Sequence, residues 1–353
     1  MFTKIKNPIL FQGNLDKNNY FEGWYYKHVT NDQRTSLSFI PGISLNEKDP
    51  HSFIQYILIQ EQADGHKTTN TGYVRFTIAD FKVESDPFTV QIGNSIFTKD
   101  SITINFKDDF FHFQGIIHLG PFHPIETNFI SPNIMGPFAY IPGMQCYHGV
   151  ISMQHELTGS LSINNQLIDF SKGSGYIEKD WGNAFPKEYI WLHSNHFTHP
   201  STSLFFSVAH IPFYFTEFEG FIANLVYKNK EYRFASYNQS TCEVKEMNKH
   251  TITIHLENKQ ALLKLKATVS DQGKLIAPVQ DGKMDKKIKE GISGEIYLIL
   301  EDKKRVRFMK ILEKMQVLRS LIIAKLVNKK IQDQMILDFI YYIFSFNTAI
   351  HSS

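Results

Sequence analysis

Residues 173–195 read GSGYIEKDWGNAFPKEYIWLHSN, and the punctuation of that stretch makes it two strands around a turn. In the first strand, period-two alternation puts Tyr176, Glu178 and Asp180 on one face and Ile177, Lys179 and Trp181 on the other. Gly182 and Pro186 break the run. In the second, Tyr189, Trp191, His193 and Asn195 share a face, with Ile190 and Leu192 opposite. Each strand therefore carries a stripe of aromatic and polar side chains. Two acids on a strand usually mark a solvated face. The other reading is a lined cavity: an interior of Tyr, Trp, His, Asn and carboxylic acids suits an amphiphilic ligand with one polar end.

Strand signals continue on both sides of this stretch. Upstream, Tyr20–His28 places Glu22, Trp24, Tyr26 and His28 on one side, and strands follow at 36–43, 53–60, 73–78 and 88–92. Residues 96–106 and 110–119 read as a hairpin turned at Asp108 and Asp109. Gly120–Gly143, with five prolines and three glycines, reads as a long structured loop of the kind that forms lids and site walls. Strands resume at 145–152, 157–163 and 166–170. Downstream, strands are expected at 203–210, 213–227, 231–236, 251–257, 261–268 and 295–300. Helical signals are scarce before residue 300, and many short strands with frequent turns point to closed barrels or sandwiches.

Composition agrees with an aromatic-lined β architecture. The chain of 353 residues holds 30 Phe and 16 Tyr, and aromatic residues make up 14% of it; that length suffices for two domains with a large core. The net charge of +2 hides an asymmetry, because residues 303–353 carry ten Lys or Arg against three acids, leaving −5 for the preceding chain. The body thus has no nucleic-acid footprint. Cys146 and Cys242 fall in no metal-ligand spacing and make no disulfide framework, which favours a reducing compartment. The N-terminal residues lack the apolar run of a signal peptide, and no transit pattern is evident, so a cytoplasmic location is expected. His193, His196 and His199 form an H-x-x-H-x-x-H run, but on a strand and loop that spacing does not converge three ligands, and no metal is expected. Ser152 and Ser207 lack a nucleophile-elbow pattern, and Gly173-Ser-Gly175 lacks the strand-to-helix context of a phosphate loop.

The run from Gly175 to Gly182, followed by Phe185-Pro186 and Tyr189-Ile190-Trp191, resembles the signature of the tocopherol cyclase family, which includes plant plastid enzymes and many bacterial members. Tyr20-Phe21-Glu22-Gly23-Trp24-Tyr25-Tyr26-Lys27 is similar to the family's N-terminal strand motif. A weaker match runs from Ala277-Pro278 through Gly282, Met284 and Glu290 to Gly294. The resemblance implies an all-β fold of two tandem lipocalin-like β-barrel domains, an architecture shared with bacterial carotenoid hydratase-like proteins. The expected division is a lead-in at 1–19, barrels at 20–182 and 183–300, and a tail at 301–353.

The family's reaction closes a chromanol ring by adding a phenol oxygen across a trisubstituted alkene of a prenylated hydroquinone, with no cofactor. It needs a proton for an alkene carbon, shielding for a tertiary cationic centre and a base for the phenol proton. A carboxylic acid in an aromatic pocket suits the first task, since burial keeps it protonated. Asp180 is the expected acid, with Glu178 or Glu22 as alternates. Trp24, Tyr25, Trp181 and Trp191 are expected to line the cavity with Asn195, aromatic faces steadying the cation, while His193 or Tyr176 receives the phenol proton. Packing competes with every one of these roles: tryptophans in a β core are most often structural, and Asp180 beside Trp181-Gly182 is also placed to cap a turn. The alternative function is a non-catalytic carrier of a hydrophobic small molecule or lipid, which the fold alone does not separate from an enzyme.

The tail departs from this pattern. Residues 295–353 contain no Gly and no Pro, and 305–330 alternate basic and aliphatic residues at helical spacing. A basic amphipathic helix there would contact a membrane surface peripherally, while the apolar run 335–350 is short of a span. Codons that encode residues 313–319 can, in another frame, read Lys-Asn-Ala-Gly-Leu-Glu, which resembles the family's final strand, so a frameshifted tail is the preferred expectation.

Overall fold

The computed structural model describes residues 2–303, apart from 63, 214 and 215, together with the backbone at 313–314, 321–323 and 330–331. After a short helix, α1 (Phe2–Lys6), the regular structure is strand, broken by single 3-10 turns. The chain divides into two compact units, and the division does not follow chain order. The first unit comprises residues 1–127, 143–185 and 271–292; the second comprises 128–142, 186–270 and 293 onward.

The first unit is built on twelve strands: β1 (Phe21–Val29), β2 (Thr35–Ser44), β3 (His51–Glu61), β4 (Lys67–Phe76), β5 (Phe81–Ser85), β6 (Phe88–Ile92), β7 (Ser95–Thr98), β8 (Ser101–Lys107), β9 (His112–Leu119), β10 (Cys146–Ile163), β11 (Gln166–Asp169) and β12 (Gly173–Gly182). Their order is β4-β3-β2-β1-β12-β10-β9-β8-β7-β6-β5, with β11 appended to β10. The pairings are antiparallel, so each strand keeps one set of alternate side chains inward. Trp24, Tyr26, Leu37, Phe39, Ile54, Tyr56, Phe88, Phe97, Phe106, Phe113 and Ile177 form one buried core. Tyr56 of β3 meets Phe106 and Phe113 of β8 and β9 at ring-centroid distances of 6.3 and 4.8 Å, and Trp24 of β1 meets Phe88 of β6 at 6.2 Å. The sheet therefore curls until strands far apart in its order share a core. It does not close: among the described residues the edge strands β4 and β5 do not pair with each other, which corrects the expectation of a closed barrel. The curl is filled by its own aromatic side chains.

The second sheet contains β13 (Tyr189–Ser194), β14 (Ser203–Phe213), β15 (Thr216–Tyr227), β16 (Lys230–Ala235), β17 (Thr241–Met247), β18 (Thr251–Glu257), β19 (Ala261–Pro278), β20 (Met284–Asp302), β21 (Glu313–Lys314), β22 (Leu321–Ile323) and β23 (Lys330–Ile331), of which residues 271–278 of β19 and 284–292 of β20 belong to the first unit. Their order is β16-β15-β14-β13-β22-β20-β19-β18-β17-β23, with β21 on β20. Ile190, Leu192, Phe206, Phe221, Phe234, Ile254 and Leu263 lead its core. This sheet is also unclosed at its edges among the described residues. The helix expected over the tail meets three short strands wherever that segment is described; the rest of the amphipathic and frameshift readings, and the membrane contact drawn from them, fall outside the described residues. No helix among the described residues is long and apolar enough to cross a membrane.

Several strands depart from the pattern read in the sequence, each for a local reason. Residues 96–106 are split at Lys99-Asp100 into β7 and β8. The stretches expected as two strands from 145 to 163 are the single strand β10, which absorbs its irregularity in register shifts between Val150, Ser152 and His155 and so bends without ending. β17, TCEVKEM, has too few apolar residues to announce itself. Two glycines of the central motif are obligatory. Gly182 has φ of +152°, with the Gln145 carbonyl where a side chain would begin, and a side chain on Gly175 would collide with the ring of His155.

One buried ion pair ties the N-terminus to this sheet. Lys179 on β12 and Glu22 on β1 are both fully buried, with Lys179 Nζ 2.5 Å from Glu22 Oε1. The ammonium also donates to the carbonyls of Pro8, at 2.8 Å, and Leu10, and lies 4.6 Å from the centre of the Trp24 ring and 5.1 Å from that of Trp181. The Glu22 carboxylate accepts the backbone N–H groups of Gln12 and Gly13 at 2.9–3.0 Å and the hydroxyl of Tyr20. Trp24 Nε1–H donates to the Ile9 carbonyl at 2.7 Å. Residues 8–13 are thus strapped across the sheet by charge-assisted hydrogen bonds. Burial pulls the Lys179 pKa down to about 8, with Glu22 opposing that shift. Lys179→Met leaves Glu22 buried without its counter-charge and is expected to cost about 3–5 kcal/mol, measured by urea unfolding; Lys179→Met with Glu22→Gln should recover part of that loss.

Candidate active site

Because Lys179 and Trp181 face the core, Glu178, Asp180 and Tyr176 face the other side of the same sheet. Register builds a row there. Asp180 pairs with His148 of β10 and with Gly23 of β1, Glu178 with Val150 and Tyr25, and Tyr176 with Lys27. Residues directly opposite across a ladder carry their side chains on one face, so four strands bring His148, Asp180, Glu178, Tyr176, Tyr25, Lys27 and Ser38 together.

The bonds within this row are short and directed. His148 Nδ1 lies 2.8 Å from Asp180 Oδ1, and its Nε2 lies 3.5 Å from Glu178 Oε2, an ion-pair distance longer than a good hydrogen bond. Tyr176 Oη–H donates to the same Glu178 oxygen at 2.6 Å. Ser38 Oγ–H donates to Tyr25 Oη at 3.0 Å. An unbroken sequence runs from Asp180 through His148 and Glu178 to Tyr176. It also grades in exposure: the side chain of Asp180 is 26% exposed, that of His148 14% and that of Glu178 6%.

Electrostatics follow from this arrangement. Burial alone would lower the pKa of His148, but the carboxylates of Asp180 and Glu178 outweigh it and raise the pKa above the ordinary 6.5. Burial, then the charge of Glu178, drives the Tyr176 phenol well above its usual range. Burial likewise pushes the Cys146 thiol up, with Asp180 adding to it.

The expected site residues are thereby sorted by the sheet. Asp180, Glu178, Tyr176 and Tyr25 share a face. Trp24, Trp181 and Glu22 lie on the opposite one: Trp24 and Trp181 sandwich Lys179, and Glu22 is committed to that lysine and the strap. Trp181 is further stacked on Tyr147 at 5.6 Å and 7°. Asp180 does not cap the turn at Gly182, since its carboxylate is turned to His148. Trp191, His193 and Asn195 belong to the second unit, where Trp191 and His193 are buried on the face of β13 opposite Ile190 and Leu192, their rings 6.2 Å apart. His199 is turned to Tyr227 at 5.2 Å. Among the described residues no group of three or more His, Cys, Asp or Glu side chains is arranged to hold a metal ion. His148, Lys27 and Ser38 were missed from sequence. Alternation around Tyr147-His148-Gly149 places His148 on a strand, but only strand pairing reveals which carboxylates it meets.

The fold and this row define a double-sheet β protein with a carboxylate–imidazole–carboxylate cluster on the face of its first sheet opposite Lys179 and Trp181. The chain belongs to the tocopherol cyclase-like family, whose profile matches residues 136–321, a span that contains β10, β12 and β13 and reaches into the tail. Solved structures of similar fold include a protein described as an AttH from Nitrosomonas europaea, with a TM-score of 0.52 and 11% identity over 88% of this chain and 94% of that one. Kievitone hydratase from Nectria haematococca is similar at 0.51 and 12%, over 87% and 90%. CghA with Sch210972 is similar at 0.55 and 8%, over 87% and 89%. No curated protein sequence matches the chain.

The raised pKa of His148 fixes the sign of its pH dependence. Its ion pairs stabilise the fold fully below the unfolded pKa of 6.5, and the contribution is lost as pH rises through the higher folded value. A proton-detected titration should find the His148 pKa above 6.5 in the wild type. In Asp180→Asn, where burial is opposed by Glu178 alone, it should fall.

Proposed function

We propose that this protein is a cofactor-independent, acid-initiated cyclase acting on a prenylated quinol or a related isoprenoid lipid. The observation that carries the reading is the clasp of His148 between Asp180 and Glu178, on a face whose most exposed member is a carboxyl group. Asp180 is the proton donor. Its Oδ1 is tied to His148, so Oδ2 is the oxygen free to carry a proton to the alkene. Proton transfer forms a C–H bond at the alkene and leaves a tertiary cationic centre. Tyr25, an aromatic residue on the same face, supports that centre through its ring, worth about 0.5–2 kcal/mol. The phenol oxygen then closes the C–O bond and gives up its proton. His148 gives its own imidazolium proton back to Asp180 and takes up the phenol proton in its place, so the cycle consumes no proton and needs no redox partner. Membership of the family supports the reaction class, and the presence of a hydratase among proteins of this fold is consistent with addition across a double bond.

The test is turnover of geranylgeranyl hydroquinone by the full chain. The wild type should form the chromanol; Asp180→Asn should lose about 10²–10⁴ in kcat, the range for a positioned general acid, and His148→Gln should lose rate while substrate still binds. Binding of the quinol with no product from wild type or variants would reject the cyclase and favour a lipid carrier.

A further inference from the structure

The long loop Gly120–Gly143, expected from sequence to form a lid or site wall, contributes no residue to the acid cluster. Its part from 128 to 142 belongs to the second unit. There it is firmly mounted: Ile134 is fully buried and its carbonyl accepts the Tyr237 hydroxyl at 2.9 Å, while the Phe138 ring stacks on Phe218 at 5.8 Å. Yet the turn that opens this part, Asn128-Phe129-Ile130-Ser131, holds two consecutive apolar side chains out in water, Phe129 at 71% exposure and Ile130 at 58%. Single exposed apolar residues are ordinary on a protein surface. Among the described residues, Phe129 and Ile130 are the only large exposed apolar side chains that adjoin in sequence.

The turn is built to keep them there. Asn128 Oδ1 accepts the N–H groups of Ile130 and Ser131, each at 2.9 Å, and the Asn128 N–H donates to the Ser131 carbonyl at 3.0 Å. Tyr140 Oη–H donates to the Phe129 carbonyl at 2.6 Å, with the two rings 6.2 Å apart, and Pro132 brings no N–H of its own. These backbone groups are satisfied from within the loop, which is the condition for leaving water. The surroundings are also nearly free of charge: between Gly120 and Gly143 the only charged side chain is that of Glu126, and no Lys or Arg occurs between Lys107 and Lys172.

We infer that this turn is a membrane contact, in which Phe129 and Ile130 seat at the headgroup–acyl boundary of a zwitterionic lipid surface. Tyr140, an amphipathic ring beside them, suits the same level. A protein partner fits the patch poorly. An aromatic side chain buries about 150–250 Å², so the pair falls far short of the roughly 800 Å² per partner of a stable protein interface, whereas a lipid surface accepts a small apolar wedge. With no basic residue in the loop, attraction to anionic lipid is not the driving force. Such a contact serves a cyclase and a lipid carrier alike, and its test needs no turnover.

The full chain should co-sediment with vesicles of palmitoyl-oleoyl phosphatidylcholine. Phe129→Ser with Ile130→Ser should weaken that binding at least tenfold and leave the melting temperature unchanged, since both side chains lie outside the core. Phe129→Trp gives a direct reading, because the three native tryptophans are buried: the emission it adds should shift to the blue with these vesicles and be quenched by brominated acyl chains. Adding phosphatidylserine should not change the share of binding that the double substitution removes. Wild-type protein that ignores the vesicles overturns the inference. So does binding that survives the double substitution; if phosphatidylserine strengthens it, the contact lies in the basic segment after residue 303. A dimer in sedimentation that the double substitution dissociates would assign the turn to a second copy of the chain, and a lowered melting temperature would mean that the pair packs within the fold; each of these also overturns it.

Discussion

The pairing of Lys179 with Glu22 is the constraint from which the first unit is organised. Neither charge tolerates burial alone, and a buried pair repays its desolvation only when its remaining valences are filled. Here they are filled by the N-terminal strap: two carbonyls on the ammonium, two backbone amides and a phenol on the carboxylate. Strap, β1 and β12 are therefore mutually dependent, and the two tryptophans beside Lys179 complete a largely aromatic lining around it.

That inward commitment decides the outward one. A strand has two faces, and with Lys179 and Trp181 fixed on the core side, Glu178 and Asp180 have only the other. The neighbouring strands then determine what the carboxylates meet. β10 brings His148 into register with Asp180, and β1 brings Tyr25 beside Glu178. The result is a cluster in which one imidazole mediates between two acids of unequal exposure, a geometry in which protonation of each group depends on the others.

Both sheets fill their interiors with their own side chains. In the first, Phe39, Phe97, Phe106 and Phe113 occupy the space that a larger lipocalin-like barrel leaves for a ligand. The acid–imidazole cluster of His148, Asp180 and Glu178 is consequently found on the other face of the first sheet. Aromatic richness, which in the sequence pointed to a lined cavity, has mostly gone into packing.

The sequence alone determined the strand character of nearly the whole described chain, the family, and the facing of Tyr176, Glu178 and Asp180 away from Lys179 and Trp181. These follow from local rules: period-two alternation, turn residues and motif order operate over a few neighbouring residues. It also singled out Glu22 and Trp24 with Asp180, because all are conspicuous in composition, yet nothing local states which face of one strand meets which face of the next. That was decided by tertiary structure. Antiparallel register between residues far apart in the chain put Glu22 and Trp24 behind the sheet, carried His148 to Asp180 across 32 positions, and, among the described residues, left the edges of each curled sheet unpaired. Strand alternation is a property of the backbone and can be read from one segment, whereas a site built across four strands exists only once their pairing is set.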